Sequence, residues 1–194
     1  AEGAFSQAFV PVFSDYDQNR RREEVRVLVE RVTGTLGAAL LVFTAVGILA
    51  APLLILLFAP GFAAEAADGD RFTLAVGMLR LTFPYLFFIS LAAVAGGILN
   101  TYHRFGVPAF SPVLLNVIMI VFAAFVAPYY HRPGMALAAG VFAAGLVQLA
   151  FMFPFLRRIG MLSRPRWGWT DPGVRQILRL MVPAVFGSSV AQVS

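Results

Sequence analysis

From Val32 to Phe58 the chain carries no charged residue, and this run constrains its fold more than any other feature. About 20 consecutive apolar residues suffice to cross the roughly 30 Å hydrocarbon core of a bilayer. Three further stretches meet that length: Leu81–Leu99, Pro108–Tyr130 and Pro133–Leu156. Ala1–Phe13 and Leu180–Ser194 read as truncated spans, so six crossings are expected, two of them incomplete. Both ends lie inside apolar stretches, and the chain reads as a piece of a longer protein.

A bilayer offers the backbone no hydrogen-bond partners, which leaves helices or a closed barrel as spanning structures. Barrel strands would be short alternating segments, whereas these runs are long and continuous. The expected fold is therefore all-α and integral to the membrane: a polytopic helical bundle. Composition agrees, with 59% hydrophobic and 13% charged residues among 194. A chain of that balance has too much apolar surface for one water-soluble core. Cysteine is absent, which removes disulfides, thiolate catalysis and cysteine-ligated metals from these residues.

Orientation follows from the basic residues, all 15 of which are arginine. Cytoplasmic loops retain positive charge. Ser14–Arg31 holds five arginines, Asn100–Val107 one and Arg157–Arg179 six, against Arg71 and Arg132 on the opposite side. The first, third and fifth loops are thus expected in the cytoplasm. The net charge of +5 reads as this topology signal and as contact with anionic membrane lipids, not as nucleic-acid binding. Asp171-Pro172 has the form of a helix start, with an N-cap aspartate and proline at the first helical position. Trp167 and Trp169 suit the membrane interface. Ala92 with Gly96, and Ala93 with Gly97, have the spacing of close helix packing.

No P-loop, metal-ligand pair or nucleophile elbow occurs, so no enzyme chemistry, metal or cofactor is expected. His103 and His131 fall in loops as solvated or interfacial residues. Polar groups inside apolar helices are costly and are the functional candidates. Glu2 and Ser6 are four apart on one helix face, with Gln7 beside them; for Glu2, a helix end in contact with water stands as an equal reading. Arg80 precedes a span long enough without it and is expected to snorkel to the outer interface. Asn116 reads either as an interhelical hydrogen bond or as a cavity residue. Pro183, Gly187, Ser188, Ser189 and Gln192 crowd the last segment. There a helix could bend or unwind, as transporters do to build midplane sites, or kink without function.

Several strings, in order along nearly the whole chain, carry a resemblance. They are Ala1-Glu2-Gly3-Ala4-Phe5-Ser6-Gln7-Ala8-Phe9-Val10-Pro11, Ala59-Pro60-Gly61-Phe62, Thr82-Phe83-Pro84-Tyr85 and Gly97-Ile98-Leu99-Asn100-Thr101. Pro112-Val113-Leu114-Leu115-Asn116, Ile159-Gly160-Met161-Leu162 and Pro183-Ala184 follow. This set resembles the MurJ (MviN) lipid II flippase family of the MATE-like (MOP) superfamily. The resemblance implies a fragment from the second to the seventh transmembrane helix, most of the N-terminal lobe of a two-lobe transporter. It implies lipid II, an undecaprenyl-pyrophosphate-linked disaccharide-pentapeptide, as cargo moved from the inner to the outer leaflet of the bacterial inner membrane. It also implies that Glu2, Ser6 and Gln7 border a central cavity, while the arginines most associated with substrate lie in segments outside this piece. Another exporter of the superfamily, such as an O-antigen lipid-carrier flippase or a multidrug antiporter, shares the expected fold. A non-transporting membrane scaffold stands as the alternative outside transport.

Overall fold

The structure, a computed structural model, describes residues 2–59, 61, 69–162 and 164–180, and of residues 2–8, 16, 69 and 70 the backbone alone. Every regular element among the described residues is helical. Helix α1 is Glu2–Asn19, α2 Arg22–Phe58, α3 Gly69–Thr101, α4 Gly106–Val121 and α5 Pro133–Arg158. A helical stretch over 172–180, α6, follows. After α4 the chain runs through a π-helical turn, Phe122–Val126, and a 3-10 turn, Ala127–Tyr129. Four of these helical segments are long and apolar enough to cross a membrane.

Helix α2 has 37 residues and is about 55 Å long at 1.5 Å per residue, well beyond the hydrocarbon thickness. The expected loop at Ser14–Arg31 is in fact helical nearly throughout, interrupted only at Arg20 and Arg21. The reason lies in its spacing: Val25, Leu28, Val29 and Val32 are all buried, a 3.6-residue stripe carried below the apolar run. Glu23 and Glu24 sit in the first turn, where a helix N-terminus favours negative charge.

The residues gather into two compact units. The first takes Ala1–Ala39, Ile89–Phe110 and Leu149–Ser194. Its core includes Phe9, Phe13, Leu28, Ile98, Leu99, Met161 and Ile177. The small residues expected to admit close packing do so here. A Cβ on Gly97 would lie 3.0 Å from the Phe9 ring, and one on Gly96 3.1 Å from Pro108. The second unit takes Leu40–Phe88 and Ser111–Gln148. It packs by glycines too, for a Cβ on Gly145 would stand 2.9 Å from Tyr85 and one on Gly140 3.0 Å from Phe122. The three stretches expected in the cytoplasm all fall within the first unit.

Helices α3 and α5 end in the same way. His103 (φ 57°) and Gly160 (φ 74°) take the left-handed conformation. Arg104 N–H reaches the Leu99 carbonyl at 2.8 Å, and Met161 N–H the Leu156 carbonyl at 3.0 Å, closing Schellman caps. The exposed His103 is thus a helix terminator in a position that favours glycine.

Candidate transport surface

The backbone of α1 places residues 2, 6, 9 and 13 within about 60° of one another around the helix. Phe9 and Phe13 on that stripe are fully buried, stack at 5.2 Å and pack on Gly97 and Tyr102. Glu2 and Ser6 lie in line with that stripe along the helix, and Gln7 lies about 100° away from Ser6; the side chains of these three are outside the described residues. Pro11 lies within α1 and supplies no N–H to the Gln7 carbonyl four residues earlier. Asn116 is on α4, exposed, and its side chain makes no hydrogen bond among the described residues. The expected interhelical bond belongs instead to Gln148, buried on α5, whose Nε2 donates to the Ser111 carbonyl at 2.8 Å. Ser111 Oγ and Gln148 Oε1 are buried there without partners among the described residues. Pro183, Gly187, Ser188, Ser189 and Gln192 lie outside the described residues.

The arginine-rich segments, read from sequence as topology signals, are tied to α2 by specific contacts. Asp171 accepts the amides of Gly173 at 2.9 Å and Val174 at 3.3 Å through Oδ1, capping α6 as expected. Its Oδ2 pairs with the Arg31 guanidinium. Glu30, nearly buried, receives Arg26 at 3.5 Å and Arg166 at 3.6 Å. The backbone joins in: Arg166 N–H donates to the Glu30 carbonyl at 2.9 Å, and Gly168 N–H to the Thr35 hydroxyl at 3.0 Å. Such close approach needs glycine on both sides. A Cβ on Gly34 would stand 2.2 Å from the Arg166 carbonyl oxygen, and one on Gly168 2.4 Å from Arg31 Cβ. Trp167 and Trp169 flank this contact, stacked on each other and exposed. Sequence reasoning missed Glu30, Arg31 and Gly34 because Arg166 and Asp171, which they meet, are more than a hundred residues away.

At the end of α1, the Tyr102 hydroxyl donates to Asp17 Oδ1 at 2.6 Å. Burial, and then this bond to the Asp17 carboxylate and its charge, hold the phenol well above its ordinary pKa. A cavity of about 210 Å³ lies among α2, α3, α5 and the chain after α5, lined by Val29, Leu91, Val94, Phe153, Leu156 and Met161. It is nearly all apolar and offers no partner to a charged head group.

On α2, Leu41, Val42, Phe43, Val46, Leu49, Leu53 and Leu57 are all exposed, with Leu49 78% accessible. Such a surface is unstable in water and stable in lipid or against further helices. Together with the four long apolar helices it defines a multi-pass α-helical membrane protein.

Within that class the chain belongs to the lipid II flippase MurJ family, whose family model matches residues 1–194. It is 46% identical over 198 residues to the probable lipid II flippase MurJ of Vibrio cholerae and 43% identical to that of Haemophilus influenzae. The lipid II flippase MurJ of Burkholderia cenocepacia is 43% identical. Each similarity covers the whole of this chain but only 38 to 39% of the relative.

Proposed function

We propose that this chain forms most of one lobe of a flippase that moves lipid II from the inner to the outer leaflet of the bacterial inner membrane. The observation that carries the reading is the family match along all 194 residues. The physical requirement agrees with it. A pyrophosphate-linked head group cannot cross hydrocarbon unaided, because its charges would lose their hydration. The protein must offer a hydrated cavity open to one side at a time, with the polyprenyl tail left in the bilayer.

In this reading Glu2, Ser6 and Gln7 border the cavity. Glu2 shares a stripe with buried Phe9 and Phe13, so a carboxylate there requires a partner, and an arginine of the full-length protein supplies it. Removing one member of a dry ion pair costs about 3 kcal/mol or more, and less where water enters. The arginine-rich loops face the cytoplasm. The test uses the full-length protein in cells depleted of their own flippase, with expression matched. Lipid II accessibility to an externally added degrading toxin is expected to fall for Glu2→Ala and to stay at the wild-type level for Arg21→Ala, which changes an exposed residue between α1 and α2. Equal translocation by both variants removes Glu2 from the cavity.

A further inference from the structure

Helix α2 runs through Pro52 to Phe58. Proline has no N–H, so the carbonyl four residues earlier, that of Ile48, loses its intrahelical donor. Inside a bilayer no water replaces it, and such a carbonyl must find another group of the protein. It does: Arg80 on α3 donates its Nε–H to the Ile48 oxygen at 3.2 Å. Arg80 was expected to reach outward to water. Arg80 is exposed, and its Nε–H is spent on α2 at its own level, since Arg80 is about 16 Å from the start of α3 and Ile48 about 15 Å from the end of α2.

The same crossing holds a second broken turn. Pro84 lies within α3, and the carbonyl it deprives of a donor is that of Arg80 itself. The two helices also meet closely here. Gly47 has no side chain to keep Phe83 away, and a Cβ on it would stand 1.9 Å from that ring. Phe43 also packs against that ring, with centroids 6.1 Å apart. Two proline-weakened turns, residues 48–52 and 80–84, thus face each other across one tight contact that the Arg80 hydrogen bond spans.

We propose that Arg80 is a positioning residue that replaces the amide missing at Pro52, so that turn 48–52 of α2 is a hinge whose bend is set from α3. Arg80 touches no cargo in this role. Its charge matters because a cationic donor holds a lone carbonyl more strongly than a neutral one. A hinge in the second unit is where a lobe could flex as access alternates, so this inference rests on the flippase reading for its purpose but not for its geometry.

The test is a cycle of Arg80→Met, Pro52→Ala and the double variant in the full-length protein, read by thermal midpoint in detergent and by lipid II translocation at matched expression. Pro52→Ala restores an amide to the Ile48 carbonyl. Arg80→Met should therefore lower Tm when residue 52 is proline and leave it unchanged when residue 52 is alanine. An equal loss in both backgrounds overturns the capping role. Pro52→Ala should hold or raise Tm yet slow translocation several-fold, because the turn has stiffened. Wild-type translocation by that variant overturns the hinge and leaves only a cap. Should Arg80→Met yield no folded protein, Arg80→Gln, a neutral donor, enters the same cycle. If the wild-type protein moves no lipid II, the flippase reading fails while the Tm cycle still decides the cap.

Discussion

Asp171 does two jobs with two oxygens, and substitution can separate them. Oδ1 caps α6 by accepting the Gly173 and Val174 amides, while Oδ2 pairs with Arg31. Loss of an N-cap oxygen costs about 1 kcal/mol. The ion pair is worth less, about 0.5 kcal/mol, because the Arg31 side chain is 43% exposed and solvent screens it. Asp171→Ala loses both, about 1.5 kcal/mol, which is roughly a tenfold change in a local opening equilibrium. Asp171→Asn retains an oxygen for the cap and loses only the charge, roughly a twofold change. Hydrogen exchange of peptides covering 172–180 in the full-length protein reads that equilibrium directly. Protection is expected to fall about tenfold in the alanine variant and about twofold in the asparagine variant. If asparagine proves as damaging as alanine, the pair and not the cap holds α6. If alanine changes nothing, neither contact does.

Three further outcomes are expected. Gly34→Ala should unseat the chain around Arg166 from α2 and lower Tm by several degrees, because a backbone cannot yield to a Cβ at 2.2 Å; Gly106→Ala, with nothing within 4 Å, should not. His103→Gly should raise Tm, since relief of a left-handed residue is worth about 1 kcal/mol, and leave translocation unchanged. With any other cysteines removed, Tyr130→Cys should react with an impermeant maleimide in intact spheroplasts and Thr170→Cys should not. The reverse labelling would invert the proposed orientation.

Much of the architecture was legible in order along the chain. Continuous apolar runs announced long helices because a bilayer forbids unsatisfied backbone, and Asp171-Pro172 announced a helix start because both residues act within one turn. The ends of the helices were less legible. A search for apolar length stops where charge begins, yet α2 continues down to Arg22 on the stripe of Val25, Leu28 and Val29. Period, not hydropathy, carries that information.

The tertiary contacts decided the rest. Nothing local in Gly34 or Gly168 reveals that two backbones meet there, and nothing in Gln148 reveals the Ser111 carbonyl it binds. Arg80 is the sharpest case. Sequence can state that Pro52 frees the Ile48 carbonyl, since proline acts on its own helix. Which side chain answers it depends on how α2 and α3 cross, and that crossing is set by Gly47 admitting Phe83. Hydropathy and capping act within a few residues and can be read one segment at a time. A hydrogen bond between helices depends on rotation and depth, which only packing determines.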